Sequence, residues 1–252
     1  MQPGAPQHTL EAIGVVRTCF GGKFGAPRQP GLCPSAWGRL IFHAPYRTPD
    51  VLRGIDGFSH VWLIWHFHQT ARRGWTPTVR PPRLGGNRRV GVFASRSTHR
   101  PNALGLSLAR IEGIDADGAD TPVLLLGGID LVDGTPVFDI KPYLPYAEAL
   151  PAAGSGYAET EIPRFPVNVA PAAAAAFAAL PPRAQSLIRE ALALDPRPVA
   201  CAPEINRASR IHGCHLCGHN IRFHIIDDHC EILEITPASH AGDRNPPRLS
   251  DE

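Results

Sequence analysis

Residues 104–140 read LGLSLARIEGIDADGADTPVLLLGGIDLVDGTPVFDI. Three apolar runs stand out, Leu104 to Ile111, Val123 to Ile129 and Val137 to Ile140, and Gly, Asp and Pro fill the intervals between them. Short apolar runs rich in Val, Ile and Leu and bounded by turn formers are the pattern of strands in a sandwich or barrel. Working outward, the same pattern recurs at Ile13 to Thr18, Ala36 to Phe42, Phe58 to Phe67 and Val90 to Ala94. One short helix is expected among them, with Thr48 as N-cap, Pro49 at the first helical position, Asp50 in the first turn and Gly54 at its end. Strands in succession without long alternating helices exclude a doubly wound α/β fold. The chain also lacks a G-x-G-x-x-G after a strand, so the usual dinucleotide cradle is absent. The expected fold class is mainly β, with a small β-barrel N-terminal domain over residues 11–146 behind a disordered start, residues 1–10.

Beyond Tyr146 the character changes. Residues 147–168 read as a linker, with AEALPAAGSGY at 147–157 followed by Pro163 and Pro166. Ala172 to Leu180 is almost pure alanine, the best helix former, and predicts a helix rather than a flexible tract. A second helix places Leu187, Ile188, Ala191 and Leu194 on one face and stops at Asp195-Pro-Arg-Pro198. Ile211, Asn220 to Ile225 and Cys230 to Ile235 predict a small antiparallel sheet with a turn at Asp227-Asp228. A small α+β C-terminal domain over residues 169–237 and a flexible tail, 238–252, complete the expected organisation.

The 252 residues carry 25 Lys+Arg against 23 Asp+Glu, a formal net charge of +2, with 43% hydrophobic residues. Such a balance excludes a disordered tail protein. No basic region followed by an apolar core opens the chain and no apolar stretch is long enough to span a bilayer, so a cytoplasmic protein without a membrane partner is expected. The charge is unevenly placed. Between Gly57 and Ile111 there is no Asp or Glu, whereas nine Arg lie there, at positions 72, 73, 80, 83, 88, 89, 96, 100 and 110. Trp75 and the Pro81-Pro82 and Gly85-Gly86 pairs make residues 71–89 a loop with an aromatic inside a basic field. Guanidinium forks match phosphate oxygens and aromatic rings offer stacking faces, so the window suits loop RNA; the alternative is a merely solvated charged loop.

Of six Cys, Cys214 and Cys217 have the C-x-x-C spacing of a shared zinc ion, and Cys230 with a neighbouring His could complete a site. A second C-x-x-C is missing, and the alternative places these residues on strands and turns of the small sheet. The thiols are read as free and no metal is assigned.

Five blocks, taken together, resemble one family. They are FGAPRQPG at 24–31, GFSH at 57–60 with FHQT at 67–70, WTPTVRPPRLGGNRRVG at 75–91, ASRSTHRPNALGLSL at 94–108, and DLVDGTP at 130–136 leading to DIKPY at 139–143. In this order they resemble the TrmO/TsaA-like tRNA methyltransferases, and Asp195-Pro-Arg-Pro198 with the following strands resembles the C-terminal extension of the bacterial members. The resemblance implies a small β-barrel, S-adenosyl-L-methionine as methyl donor, and methylation of N6 of a threonylcarbamoyl-adenosine at position 37 in the tRNA anticodon loop. It also implies a homodimer. For the donor it implies Gln29, Pro30, Gly31, His68, Gln69, Arg96, Leu106, Gly127, Gly128, Ile129 and Asp130. These types suit the ligand: glycines let backbone approach, Arg96 can hold a carboxylate, Asp130 can accept from an ammonium or hydroxyl, and Leu106 can line an adenine. For the tRNA, Arg80, Arg83, Arg88, Arg89, Arg100 and Asn102 are the candidates.

The acceptor nitrogen is urea-like and a poor nucleophile, so a base or a stabilising cation would assist transfer. Asp139, Lys141 and Tyr143 are the catalytic candidates, because alternation along an extended chain puts all three on one face; the alternative is a strand end with a structural ion pair. A different class of function, a non-catalytic RNA-binding β-barrel, uses the same glycines only as turns.

Overall fold

The computed structural model describes residues 8–197 and 210–238. Pro198, Cys201, most of the N-terminal segment 1–10 and nearly all of the tail 238–252 lie outside the described residues, as do the expectations resting on them. The described chain is mainly β. In order, β1 (Gly14–Thr18), β2 (Trp37–Phe42), β3 (His60–His66), β4 (Thr78–Val79), β5 (Val90–Gly91), β6 (Leu104–Asp115), β7 (Val123–Gly127) and β8 (Thr135–Pro142) make up the first part.

Six of these strands pair in the order β1-β2-β7-β6-β3-β8 and close into a barrel, because β8 also pairs with β1. Every pairing in the ring is antiparallel. Alternation along each strand turns Val16, Leu40, Leu63, Ala109, Leu124 and Val137 inward, each at 0% exposure. Closure leaves no free edge in this sheet.

The strand expectations match within a few residues, with two differences of kind. Of Val90 to Ala94, only Val90–Gly91 is strand, and it pairs with β4 in a separate ribbon. The expected helix after Thr48 is a 3-10 turn over Pro49–Leu52, since Gly54 at φ 83° ends it before an α-helical bond can form.

The second part contains α1 (Pro145–Glu148), β9 (Val167–Val169), α2 (Pro171–Ala178), α3 (Pro182–Ala193), β10 (His212–Leu216), β11 (His219–Ile226) and β12 (His229–Pro237). The alanine tract forms α2 as expected, and α3 buries Leu187, Ile188, Ala191 and Leu192. The small sheet is mixed rather than purely antiparallel. Its order is β10-β11-β12-β9, and β9, drawn from the stretch expected to be linker, adds to β12 in parallel.

The expected turn at Asp227-Asp228 is present, with both residues at positive φ, 46° and 61°. That is the backbone a two-residue hairpin needs. The β10–β11 turn is of the same kind, with Cys217 at φ 52° and Gly218 at φ 74°. The two parts share one core: Phe20 bridges to Leu216, and the Cys217 amide donates to the Cys19 carbonyl at 2.8 Å. Among the described residues no helix is long and apolar enough to cross a membrane.

Candidate active site

At one end of the closed sheet the chain leaves β1, β3 and β7 and returns through β2, β6 and β8, so loops 19–36, 67–103 and 128–134 meet there. Most residues that the sequence singles out for the donor lie in these loops. Gly31 and Gly128 face each other: the Gly31 amide donates to the Gly128 carbonyl at 2.8 Å, and the Gly128 amide donates to the Ala36 carbonyl at 2.8 Å. Both glycines hold positive φ, 78° and 66°, and a side chain placed on Gly31 would meet open space. Bare backbone at this end therefore comes from positions whose φ is strained for any other amino acid.

Ile129, between Gly128 and Asp130, turns the other way. It is fully buried, and a Cβ on Gly38 would lie 2.4 Å from its Cδ1. Ile129 thus anchors the turn from inside the barrel, and Gly38 leaves room for it. The following residues are tied to β1: the Asp133 amide donates to the Phe20 carbonyl at 2.8 Å, and the Thr18 amide donates to Asp133 Oδ1 at 2.9 Å.

Asp130 is the acidic group of this end whose ionisation the fold changes most directly through identifiable neighbours. Burial pushes its carboxyl up to about 6, against a hydrogen bond from Ser107 and the charge of Arg96. Ser107 Oγ donates to Asp130 Oδ1 at 2.6 Å, while Trp65 Nε1 donates to Ser107 Oγ at 3.0 Å. This chain runs through the barrel interior, where Ser107 is 0% exposed. Space for the Trp65 ring comes from Gly105, where an added Cβ would fall 2.3 Å from the indole. Trp65, Gly105 and Ser107 were not singled out from the sequence. The signal was an -x-Gly-x-Ser- alternation putting two small residues on the inward face of β6, opposite a Trp.

Arg96 is exposed and donates to the Gln29 side-chain oxygen, joining two of the loops. His68 lies half-buried beyond β3; burial lowers its pKa, partly offset by the hydrogen bond of its ring to the His66 backbone and by Asp133. Gln69 is exposed and Pro30 half-buried. Gly127 faces the outside of the sheet, where a Cβ would meet Glu112 Oε1 at 2.2 Å. Burial alone would raise the Glu112 pKa, but hydrogen bonds from Arg183 and Arg110, at 2.7 and 2.6 Å, hold it low.

Leu106, 56% exposed, points away from this end cluster, onto the outer face of the sheet. It pairs across the ladder with Ile64, which in turn pairs with Asp139. A bulge explains the catalytic candidates' placement. Val137 points inward opposite Trp65, yet the next paired residue is Asp139 opposite Ile64, so Phe138 is the extra residue and the alternation shifts. Asp139 and Lys141 consequently share the outer face and form an ion pair at 2.9 Å. Tyr143 follows on that face, its ring edge-on to Trp62 at 6.1 Å and to His60 at 6.4 Å. The three are thus together, as alternation required. They run toward the opposite end of β3, with Tyr143 about 20 Å along the strand from Val137 at 3.3 Å per residue; the structure does not bring Tyr143 to the glycine end of its own chain.

The basic segment is a hairpin. β4 and β5 pair, and residues 80–89 form its tip, with Arg80, Arg88 and Arg89 exposed. Arg83 is used internally, donating to the Ala158 carbonyl at 3.2 Å and to the Thr160 carbonyl. Arg89 donates to Thr78 at 3.0 Å. Arg100 is also committed, donating to the Ser95 carbonyl at 2.6 Å, whereas Asn102 is exposed. Trp75 and Phe93, 54% and 78% exposed, stand in the same field.

The cysteine motif has a local explanation. Cys214 is buried in the small sheet, Cys217 occupies the left-handed turn, and burial raises both thiols, Cys214 to about 12. Among the described residues no group of three or more His, Cys, Asp and Glu is placed to hold a metal ion.

Comparison with known proteins agrees over nearly the whole chain. The family model described as the tRNA-methyltransferase O N-terminal domain matches residues 15–149, and the TrmO C-terminal domain matches residues 162–238. An Escherichia coli (strain K12) protein named tRNA (adenine(37)-N6)-methyltransferase is 45% identical over 233 residues, covering 90% of this chain and 97% of its own. A crystal structure of TrmO from Pseudomonas aeruginosa superposes with a TM-score of 0.74 at 36% identity, covering 92% of this chain and 99% of its own. A Pyrococcus abyssi (strain GE5 / Orsay) protein named as a probable S-adenosyl-L-methionine-binding protein is 34% identical over 150 residues, 60% of this chain and 76% of its own. Matched by both of the family's domain models, the chain belongs to the tRNA-methyltransferase O family.

Proposed function

We propose that this chain is an S-adenosyl-L-methionine-dependent methyltransferase that acts on N6 of adenine 37 in tRNA, with N6-threonylcarbamoyladenosine as the acceptor base. One observation carries the reading: Gln29, Gly31, Arg96, Gly128 and Asp130, drawn from three loops, converge at one end of the closed sheet. When bound, the donor supplies an electrophilic methyl group on a sulfonium. The residues present suit it. Gly31 and Gly128 offer backbone without side chains, Arg96 can hold a carboxylate, and Asp130 can accept from an ammonium or hydroxyl group. His68, its pKa lowered by burial, stays neutral at pH 7 and so does not repel a cation. Leu106 and the remaining donor candidates are assigned on family membership.

The chain's main task is then positioning, since in-line displacement needs the methyl carbon and N6 at near-attack distance. N6 must also lose a proton, and Asp139, Lys141 and Tyr143 are the groups proposed to face the acceptor, reaching the donor end from the partner copy of a homodimer, since their own chain carries them toward the other end of β3. The Arg hairpin with Trp75 is the proposed contact for the anticodon loop, phosphates on guanidinium groups and bases on the ring. We further infer a homodimer, supported by the outward-facing apolar side chains Trp62, Ile64, Leu106 and Leu108, of which Leu106 is 56% exposed and the others half-buried, since an apolar strip on an outer face commonly marks a contact surface. Its site of action is the cytoplasm.

The deciding experiment incubates the protein with methyl-labelled donor and with tRNA from cells that do or do not make the threonylcarbamoyl modification. Label is expected only in the modified tRNA. Label in neither would sink the reading, and label in both would remove the threonylcarbamoyl group from it.

A further inference from the structure

The loop that carries Gln29 and Gly31 is held in place from the far end of the sequence. Four of the five residues before β2, Leu32, Pro34, Ser35 and Ala36, have polar backbone groups taken up by charged side chains. Arg164 donates to the Leu32 carbonyl at 2.9 Å and Arg110 to the Pro34 carbonyl at 3.3 Å. Arg183, on α3, donates to the Ser35 carbonyl at 3.0 Å and to the Ala36 carbonyl at 3.2 Å. Glu190, two turns further along α3, accepts from the Ser35 amide at 2.9 Å and from the Ser35 hydroxyl at 2.7 Å. A carboxylate that takes both donors of one residue fixes its backbone and side chain together, and a charged acceptor makes these bonds stronger than neutral ones.

The Ala36 carbonyl is the point of transmission. It accepts from Arg183 on one side and from the Gly128 amide on the other, while the Gly128 carbonyl accepts from Gly31. The position of α3 is thereby relayed through Ala36 to the spacing of the two glycines at the site. The helix itself is anchored independently: Leu187, Ile188 and Leu192 are 0% exposed, so Glu190 is a rigid post and not a mobile surface side chain.

We propose that α3 is a positioning element for methyl-donor binding, with Glu190 and Arg183 acting on the donor site through residues 35–36. The C-terminal region would then contribute to catalysis without touching substrate. This rests on the reading of the Gly31–Gly128 end as the donor site.

The test uses the full chain. Donor and tRNA dissociation constants are measured by titration, with melting temperature, for the wild type and for Glu190→Ala, Glu190→Gln and Ser35→Ala. Losing a charged acceptor for two donors predicts a donor Kd raised roughly tenfold in Glu190→Ala, with tRNA Kd unchanged. Gln keeps an oxygen acceptor, so Glu190→Gln should recover most of the affinity. Ser35→Ala removes one bond from the loop side without altering α3, and should weaken donor roughly two- to threefold. Unchanged donor Kd in both Glu190→Ala and Ser35→Ala, in a protein that binds donor, overturns the proposal and leaves the donor site standing. Equal losses for donor and tRNA in Glu190→Ala, with Ser35→Ala like wild type, also overturn it, because that is general destabilisation. A wild type that does not bind donor overturns the reading of the site itself.

Discussion

Two opposing influences meet at Asp130. Burial favours its neutral form and lifts the carboxyl to about 6, whereas the Ser107 hydroxyl and the Arg96 charge favour the anion. The folded protein therefore holds this proton more tightly than the unfolded chain, whose Asp titrates near about 4. Its contribution to stability is full below the unfolded value and is lost as pH rises through the folded one, between about 4 and 6. The anion is the form that accepts from an ammonium or hydroxyl. Donor affinity should accordingly rise from pH 5 to 7 and level off, and Asp130→Asn should flatten that rise while lowering affinity. The same substitution should raise the melting temperature of the ligand-free protein at pH 7 by about 2–4 °C, since an amide carries no buried charge. Calorimetric titration across pH and a thermal melt measure the two effects; a steep pH rise that survives in the variant would exclude Asp130 as its source.

At the scale of elements, the hairpin of β4 and β5 turns an arginine-rich sequence into two functional groups of side chain. Arg83 and Arg100 hold backbone carbonyls, so their removal disturbs local structure as well as charge. Arg80 and Arg88 are exposed at the tip. Each phosphate contact releases condensed counterions, so Arg80→Ala and Arg88→Ala should each weaken tRNA binding and lower the log–log salt slope by about one. Binding measured between low and moderate salt checks this, and a slope equal to wild type in both variants would remove the tip from the interface. The bulge at Phe138 matters at this scale too. Without the extra residue, Asp139 and Lys141 would point into the barrel, where an ion pair would face desolvation with little to offset it.

For the molecule as a whole, closure of the sheet and sharing of its core with the C-terminal sheet bind the two parts together. Gly25 packs so closely on Leu216 that an added Cβ would lie 2.9 Å from its Cδ2. On the outer strip of β3 and β6, Trp62 is held by Glu148 and Tyr143, while Leu106 is left 56% exposed. Leu108→Glu, on the strip but outside the donor and acceptor candidates, should shift a dimer to monomer in sedimentation equilibrium and leave the melting transition cooperative. A wild type that sediments as a monomer at all concentrations would end the homodimer proposal.

The sequence by itself determined the strands, the alanine helix and the Asp227-Asp228 turn, because each depends on local facts: alternation, propensity and the positive φ that a short turn demands. Motif resemblance also grouped Gln29, Gly31, Arg96, Gly128 and Asp130 as donor candidates, and the fold brings these five to one end of the closed sheet. Tertiary structure alone decided what those residues touch. The Trp65–Ser107–Asp130 chain needs β3 and β6 to be paired in one register, so no local pattern announces it. The bulge at Phe138 depends on β3, a second one at Glu112, where the β6 register shifts between Ile111 and Gly113, depends on β7, and the parallel addition of β9 depends on a free edge of β12. The use of Glu190 at Ser35 depends on a contact spanning 155 residues. Side-chain chemistry was legible along the chain; burial and register, which set the ionisation and direction of those side chains, were created only when distant segments closed on one another.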